Sequence, residues 1–344
     1  MSEIKGFTGT NEYDRYVYDN ELRDFLPDKI LDAHVHISTT AHKEIRTRNG
    51  GSSWPGLISH DLTVKELTDS FKELFPGKET SAMIFGMTRN SIDESNNYVI
   101  ESNRGFGFPM LYRTEYSIPA DELEAKAKAG GFIGLKPYLS CAPSYIPSKE
   151  VRIFDFLPKE HLEVANRNGW IVMLHISRDA RLRDPVNLAQ ILEIEEKYPN
   201  VKLIVAHIGR AYAREDFGDA FEILKSTKNM RFDFTANLLD EAMIEGIKCV
   251  GVDRFIYGTD FPIAYMRLYR EVKNGTYCNV VPKGLYGDVS GIAHIRDEEN
   301  DKITLMVYEQ LRAFKRAAAA LKLSDSDVEK IMYSNAKKLI DSVK

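Results

Sequence analysis

The chain has 344 residues, of which 43% are hydrophobic and 28% are charged, as is usual for a soluble globular protein. Its 46 lysines and arginines against 51 aspartates and glutamates give a net charge of −5, which argues against nucleic acid or an anionic membrane as a partner. Cys141, Cys249 and Cys278 are too few and too scattered for a disulfide framework or a cysteine zinc site. The start of the chain has no apolar core of a secretory signal, and its apolar runs are too short to span a bilayer. We therefore expect a cytoplasmic protein.

Eight apolar runs of strand length recur along the chain. Most are apolar on both faces, which is typical of parallel strands covered by helices. The predicted strands are Ile30–Ile37, Ser81–Met87, Gly107–Tyr112, Gly131–Tyr138, Trp170–Ile176, Lys202–Ile208, Met230–Phe234 and Arg254–Gly258.

Amphipathic segments alternate with these runs. The first begins with Thr63-Val64-Lys65-Glu66, a capping-box pattern in which the threonine and the glutamate satisfy the first backbone amides of a helix. The predicted helices are Thr63–Leu74, Asp121–Ala129, Lys159–Asn168, Asn187–Tyr198, Glu215–Ser226 and Asp240–Cys249.

This alternation predicts an α/β fold, a (β/α)8 TIM barrel in a single domain over residues 1–344. The barrel core covers about residues 28–262, preceded by a polar, tyrosine-rich N-terminal extension and followed by C-terminal helices at about 301–341. Two long connections, 38–60 and 263–296, follow the first and last strands. Because catalytic groups of such barrels lie at the carboxyl ends of the strands, both are candidate loops over an active site.

The first strand carries two histidines. His34 and His36 are two residues apart, so their imidazoles lie on the same side of an extended strand. Neutral imidazole is the commonest side-chain ligand of divalent metals in proteins. The pair therefore indicates a site for one divalent metal ion whose other ligands come from later in the chain.

Other strand ends carry polar groups that a purely structural barrel would not need. The fourth strand ends in Lys136-Pro137-Tyr138, the fifth in His175, the sixth in His207-Ile208-Gly209-Arg210 and the eighth in Thr259-Asp260. All would open on the same face of the barrel. Five groups that bind metals or protons therefore converge on its mouth: His34, His36, His175, His207 and Asp260.

The ordered set of motifs resembles the amidohydrolase superfamily, and within it the amidohydrolase-2 branch. The motifs are Asp32-Ala33-His34-Val35-His36, the strand-end His175, His207-Ile208-Gly209, Tyr257-Gly258-Thr259-Asp260-Phe261-Pro262 and the closing segment Lys330–Leu339. The resemblance runs from about Ile30 to Leu339. It implies a TIM-barrel enzyme that depends on a metal.

The resemblance also implies roles for single residues. His34, His36, His175 and Asp260 match the metal ligands of the branch. Asp260 also matches the general base that takes a proton from the attacking water, and His207 matches a histidine that polarises the substrate or moves a proton. A metal with an open coordination position lowers the pKa of bound water toward about 7, which makes this division of roles chemically coherent.

Four further side chains are candidates for substrate contact or metal bridging: Lys136, Tyr138, Arg178 and Arg210. In binuclear relatives a lysine at the place of Lys136 is carboxylated and bridges two metals, whereas in the amidohydrolase-2 branch it is often a cation that faces the substrate. Because four arginines (Arg178, Arg181, Arg210 and Arg214) follow the fifth and sixth strands, an anionic substrate is a reasonable expectation. Arg210 is the best single candidate among them.

Several other polar residues have simpler interpretations. We expect Asp32, which shares the inward parity of the two histidines, to support the barrel rather than to bind metal. We expect His42, His60, His161 and His294 to lie on the surface, although the loops of His60 and His294 could fold over the mouth. The tyrosines of the last insertion, Tyr265, Tyr269, Tyr277 and Tyr286, are expected mostly to pack their own loop.

The leading functional hypothesis is a hydrolase that uses a metal-activated water on a small, carboxylate-bearing lactone or cyclic amide. The metal is expected to be one zinc ion, with manganese as an alternative and a second metal on a carboxylated Lys136 as a further one. A non-oxidative decarboxylase of an aromatic or muconate-type acid, a metal-independent lactonase, an isomerase and a retired, non-catalytic scaffold are competing hypotheses. A small anionic molecule is the expected partner, and a homodimer is the default assembly.

Overall fold

Eight parallel strands form a barrel in which each strand pairs with the next one along the chain. The computed structural model describes residues 7–39, 54–58, 61–88 and 90–343. The strands are β1 (Lys29–Ile37), β2 (Glu79–Gly86), β3 (Met110–Thr114), β4 (Gly134–Pro137), β5 (Ile171–Leu174), β6 (Lys202–Val205), β7 (Arg231–Asp233) and β8 (Phe255–Ile256). All eight predicted strands are present, and the predicted (β/α)8 barrel is confirmed.

The segment after β8 closes the barrel against β1. Ala33 donates its amide proton to Tyr257 O at 3.0 Å, Asp260 donates to His34 O at 2.9 Å, and His36 donates to Phe261 O at 2.9 Å. We call these paired segments, Ala33–His36 and Tyr257–Phe261, the seam. The seam brings the eighth strand end directly beside the two histidines of the first.

A shift in register along β1 aims the histidines. The pairing of β1 with β2 is irregular between Asp32 and Val35. Before the shift, Leu31 and Ala33 pack into the apolar interior of the barrel, whereas Val35 after it belongs to the outer layer between strands and helices. A bulge of this kind re-aims side chains. The predicted placement of His34 and His36 on the same side is confirmed, since their ligand atoms lie together, whereas the simple alternation does not extend back to Asp32.

Helices surround the barrel, and their starts agree with the sequence signals. Thr63 caps its helix as predicted: its side chain accepts from Glu66 N, and the Glu66 side chain accepts from Thr63 N. The predicted helix Glu215–Ser226 is broken in two at Gly218. The principal helices are Glu12–Val17, Val64–Leu74, Ile92–Ser102, Ala120–Ala129, Ile153–Phe156, Lys159–Asn168, Pro185–Lys197, Arg214–Phe217, Ala220–Leu224, Asp240–Val250, Met306–Leu321, Asp325–Glu329 and Asn335–Asp341. Ile92–Ser102 was not among the predicted helices.

The connection after β8 contains a small sheet of its own. Its strands are β9 (Tyr269–Lys273), β10 (Thr276–Pro282) and β11 (Ile295–Glu298), with β10 in the middle. We call these strands the insertion sheet. The sequence prediction of an irregular loop over 263–296 is therefore incomplete. Of the other long connection, 38–60, only 38–39 and 54–58 lie within the described residues.

The two ends of the barrel differ in chemistry. Alternate strand residues such as Met83, Leu111, Met173 and Ile204 fill the interior, and the C-terminal helix Asn335–Asp341 covers the lower end with Ala336 and Leu339. Polar side chains collect at the opposite end, where the strands finish. Because burial of apolar side chains is the main driving force for folding, this packing fixes the strands that carry the polar groups.

Candidate metal centre

His34, His36 and Asp260 bring three possible metal-ligand atoms together. The ligand atoms of this group all lie within 4.8 Å of one another, and all three residues are buried. His36 Nε2 lies 2.9 Å from Asp260 Oδ1, and His34 Nε2 lies 3.5 Å from the same oxygen. Two atoms that bind one metal at about 2.1 Å are about 3.0–3.4 Å apart for octahedral to tetrahedral angles. The spacing therefore fits a single divalent ion.

The hydrogen bonds of His36 leave the correct nitrogen free for a metal. Tyr138 donates its hydroxyl proton to Gly86 O at 2.6 Å. The tyrosine oxygen must then accept from His36 Nδ1, which lies 2.9 Å away. The proton of the neutral ring is thus on Nδ1, and Nε2 presents its lone pair toward Asp260. Tyr138, a predicted contact residue, orients a ligand in this way.

His34 is oriented by a carboxylate that the sequence analysis missed. His34 Nδ1 donates to Asp233 Oδ2 at 2.9 Å, so its Nε2 also presents a lone pair. Asp233 ends β7, is fully buried, and accepts further bonds from His207 N at 2.7 Å and from the Thr235 hydroxyl. In the sequence, Asp233 is marked only as a carboxylate near the end of the predicted strand Met230–Phe234. Such a carboxylate behind a histidine is typical of metal sites.

Burial keeps the two histidines neutral. It lowers the pKa of His34 to about 3, and it lowers the pKa of His36 as well. Burial alone would raise the pKa of Asp260, but the nearby imidazoles of His36, His207 and His34 hold it below its ordinary value. Neutral imidazoles beside an ionised carboxylate are the protonation states that a metal requires.

Lys136 lies inside the same group of side chains. Its Nζ is 3.4 Å from His34 Nε2 and 4.7 Å from the centre of the Phe85 ring. Within the described part of the chain, no carboxylate comes within ion-pairing distance of this ammonium group. Burial lowers the pKa of Lys136 to about 8. Lys136 is thus a neighbour of the ligand atoms rather than a residue of the outer mouth.

His207 and His175 extend the cluster of imidazoles. The His207 ring centre lies 5.1 Å from those of both His34 and His175. His207 Nδ1 donates to Thr235 O at 2.9 Å, and His175 Nδ1 donates to Ile176 O at 3.0 Å. Both rings keep Nε2 free of these backbone bonds. His175 is not in the three-residue ligand group, so its predicted coordination remains a prediction.

The backbone at His207 has an unusual conformation. From His207 to Arg210 four successive residues have positive φ, between 50° and 61°. A left-handed residue other than glycine costs about 1–2 kcal/mol, so such a turn persists only where its surroundings fix it. Here the amide of His207 bonds to Asp233, which also holds His34. One buried carboxylate thus positions two histidines of the site.

A sequence model of the amidohydrolase family, the amidohydrolase-2 group, matches residues 31–276 of the chain. That match covers the barrel and every residue of the ligand group. The chain belongs to the amidohydrolase-2 family. It is therefore an enzyme of the amidohydrolase superfamily.

Solved structures support the fold of this amidohydrolase at low sequence identity. A probable 2-pyrone-4,6-dicarboxylic acid hydrolase from Acinetobacter baumannii is 14% identical with a TM-score of 0.57 over 91% of this chain and 99% of the other. An amidohydrolase from Burkholderia multivorans with bound zinc is 11% identical, with a TM-score of 0.60 over 91% of this chain and 99% of the other. A dihydroxybenzoic acid decarboxylase from Polaromonas sp. JS666 with bound manganese is 14% identical, with a TM-score of 0.55 over 92% of this chain and 97% of the other. No curated protein sequence matches.

The arginines near the mouth of the amidohydrolase differ in their partners. Arg178 Nε lies 3.0 Å from both oxygens of Asp184, the residue that caps the helix Pro185–Lys197. Arg210 Nη1 donates to Ser177 O at 3.2 Å and has no carboxylate within ion-pairing distance among the described residues. Of the two predicted arginines, Arg210 is therefore the one whose charge no described carboxylate neutralises.

The remaining predicted residues have structural positions in the amidohydrolase. Asp32 accepts from the amide of Thr259 at 2.9 Å and from its hydroxyl at 2.6 Å, and it lies outside the ligand group. His161 is buried, with Nε2 2.8 Å from Ile118 O, so its predicted surface position is wrong. His294 stacks on Tyr277 with ring centres 4.5 Å apart. His42 and His60 lie outside the described residues.

Two of the four insertion tyrosines pack within the insertion as expected: Tyr269 bonds to Glu298 and Tyr286 to Arg267 N. Tyr265 instead bonds to Ser70 of the helix Val64–Leu74. In the parts of the chain that the structure describes, no helix has the length and apolar character needed to cross a membrane.

Proposed function

We propose that this amidohydrolase is a metal-dependent hydrolase of a small, carboxylate-bearing lactone or cyclic amide. The observation that carries the proposal is the convergence of His34 Nε2, His36 Nε2 and Asp260 Oδ1, with both imidazole lone pairs fixed by hydrogen bonds to Asp233 and Tyr138. A divalent ion held by these atoms, most simply zinc, would polarise the substrate carbonyl and acidify water.

The protein's own groups supply the proton transfers. Asp260 Oδ2 has no hydrogen-bond partner among the described residues, because both histidines face Oδ1. This oxygen is available to accept the proton of the attacking water. His207, with Nδ1 held by Thr235 O, offers Nε2 to the carbonyl oxygen or to the leaving group. Arg210 supplies positive charge for the substrate carboxylate.

The decisive test is Asp260→Asn in protein purified without chelator. We expect hydrolysis of a panel of carboxylate-bearing lactones and cyclic amides to fall at least ~10²–10⁴-fold, because a general base contributes about that much. Asp253→Asn is the matched control: it lies before β8 at the opposite barrel end, with an exposed side chain. Unchanged turnover in Asp260→Asn would exclude this mechanism.

The same preparation separates the competing functions. Metal content is measured by plasma mass spectrometry, and a panel of aromatic acids is assayed for CO2 release beside the lactones. Lactone turnover that survives complete chelation would favour the metal-independent lactonase. CO2 release without lactone turnover would favour the decarboxylase.

A further inference from the structure

A cluster of arginines and tyrosines lies where the insertion sheet meets the barrel. Arg181 follows β5, Tyr212 follows β6, and Arg270 and Tyr277 come from β9 and β10. The two tyrosine rings meet edge to face with centres 5.1 Å apart. The guanidinium carbon of Arg270 lies 4.7 and 4.8 Å from the two ring centres, and that of Arg181 lies 5.1 and 5.0 Å from them.

The positive charge of this cluster is only partly balanced. Arg181 forms an ion pair with Asp216. Arg210, which precedes Tyr212 by two residues, donates to the backbone carbonyls of Ser177 and Arg178. Arg270 donates to Asn279 Oδ1 at 2.9 Å and to Ala236 O at 3.0 Å. Across the described ranges of the chain, neither Arg210 nor Arg270 has a carboxylate within ion-pairing distance. A half-buried cation without a carboxylate partner favours an anion beside it.

Two donors in the cluster are also unsatisfied. Arg270 Nη2 and Asn279 Nδ2 are buried and have no hydrogen-bond partner in the described structure. The side chain of Asn279 is fully buried. Buried donors are satisfied in the great majority of cases, and each exception needs an explanation. Since the two residues are bonded to each other through Arg270 Nε, their free donors belong to one preformed unit.

This unit is directly connected to the proposed proton-transfer residue. His207 Nδ1 bonds to the carbonyl of Thr235, and Arg270 Nη1 bonds to the carbonyl of the next residue, Ala236. Successive peptide groups after β7 thus hold a histidine of the metal centre and an arginine of the insertion sheet. This backbone segment therefore links the metal centre to the insertion sheet.

We propose that Arg270 and Asn279 form a subsite that binds a carboxylate of the substrate away from the bond that reacts. A guanidinium group and an amide donor match the planar, multiply accepting carboxylate group. This proposal rests on the proposed function, because it assumes that the substrate lies at the metal centre. It adds that the insertion sheet selects the substrate and that the substrate carries a carboxylate distant from its reacting carbonyl.

Binding to metal-loaded protein tests the subsite without any turnover. The probes are succinate, glutarate and adipate, with butyrate as a monocarboxylate and inorganic phosphate as an alternative anion, and affinity is measured by calorimetry. Tryptophan fluorescence gives a second readout, because Trp54 Nε1 lies 3.3 Å from the Tyr277 hydroxyl. We expect at least one dicarboxylate to bind wild-type protein more tightly than butyrate does.

Arg270→Gln should weaken binding of that dicarboxylate about ten- to a hundredfold, as expected for loss of a charge-assisted hydrogen bond, and should leave butyrate binding nearly unchanged. Arg296→Gln is the matched control, since it removes one positive charge from β11 of the same sheet, where the side chain is exposed and pairs with Glu271 and Glu298. A preference for dicarboxylates that survives Arg270→Gln would overturn the proposal, as would tighter binding of phosphate than of any dicarboxylate.

Asn279→Asp provides a second test that does not depend on losing the arginine. A carboxylate at 279 would bond to both Nε and Nη2 of Arg270 and so occupy the subsite from within. We expect a higher melting temperature together with loss of the dicarboxylate preference; a stabilised variant that still prefers dicarboxylates would contradict the subsite. If Asp260→Asn leaves turnover intact while Arg270→Gln abolishes the preference, the mechanism fails and the subsite stands.

Discussion

The seam and the insertion sheet both carry polar side chains to the mouth of the barrel, but they hold them differently. In the seam, His34 and His36 each have one ring nitrogen fixed by a buried partner, so the ligand atoms are aimed before anything binds. In the insertion sheet, Arg270 and Asn279 keep buried donors without partners. Ligand atoms that the protein itself holds in place suit a metal ion that takes part in every turnover. Donors that lack an acceptor within the protein suit a group of the substrate that supplies one. Changes in the seam should therefore alter metal binding and kcat, and changes in the insertion sheet should alter KM.

The largest effect outside the ligands is expected for Asp233→Asn, because Asp233 supports His34 of the seam from the end of β7. The amide cannot accept as strongly from His34 Nδ1, and it leaves the backbone donor of His207 with a poorer partner. We expect metal affinity to fall about 10–100-fold, the usual result of losing a carboxylate behind a metal-binding histidine. Competition with a chromophoric chelator measures it.

Asp32→Asn is the control for that measurement. Asp32 is buried directly before the seam, but it bonds to the hydroxyl and amide of Thr259 and not to an imidazole. We expect the melting temperature to fall in both variants and the metal affinity to fall much more in Asp233→Asn. Equal losses of affinity would show that Asp233 acts only through general stability.

The ligand group could be anticipated from the sequence because its members end strands. His34, His36 and Asp260 each lie in or directly after an apolar run, and the barrel topology brings those ends together. Asp233 also ends a predicted strand, yet nothing local distinguishes a carboxylate that supports a ligand from one that supports the fold. Its function comes from a hydrogen bond across 199 positions of sequence.

The insertion sheet was missed although it has a local signal. Asn274-Gly275 separates Tyr269–Lys273 from Thr276–Pro282, and both turn residues have positive φ, 51° and 72°. Asn-Gly between two such segments is the strongest short-range sign of a hairpin. The third strand, Ile295–Glu298, pairs with β10 in parallel after a connection of 12 residues, 283–294, which no local pattern predicts.

A smaller effect on the seam is expected for Tyr138→Phe, because Tyr138 follows β4 and orients His36. The change removes the oxygen that accepts from His36 Nδ1 and so releases the ring orientation. We expect metal affinity to fall by about tenfold, the lower end of the range for such supporting groups, with little change in KM for the substrate.

Tyr112→Phe is the matched control for Tyr138→Phe. The Tyr112 hydroxyl is buried and bonds to no group of the metal centre, so its removal should leave metal affinity unchanged. If both variants lose metal equally, the hydrogen bond to His36 is not the cause.

Acid should destabilise the metal-free protein. Burial lowers the pKa of His34 to about 3 and lowers the pKa of His36, His161 and His175. Below the unfolded-state value of about 6.5, the unfolded chain binds protons that the folded chain does not, so stability is lost progressively as the pH falls from about 6.5 toward these lowered values. Burial raises the pKa of Asp32 to about 7, so protonation of this carboxylate stabilises the folded protein as the pH falls. This opposing effect comes from one group, whereas four histidines destabilise the folded protein. Calorimetry on chelated protein at pH 7 and at about pH 5 measures the difference, and an unchanged melting temperature would contradict it.

The smallest effect is expected in the insertion sheet, for Gly275→Ala. At φ +72° an alanine is strained by about 1 kcal/mol, which corresponds to about 2 °C in the melting temperature of a chain of this size. The added Cβ would lie 2.8 Å from Glu215 Cδ, but that atom belongs to an exposed, flexible side chain that can move. The strain is therefore confined to the turn that joins the strands of Arg270 and Asn279. We expect KM to rise with kcat and metal content unchanged, and Asn274→Gly, which relaxes the other turn residue, to cause no loss. A fall in kcat would mean that the insertion sheet positions groups of the metal centre itself, and the contrast between the two regions would fail.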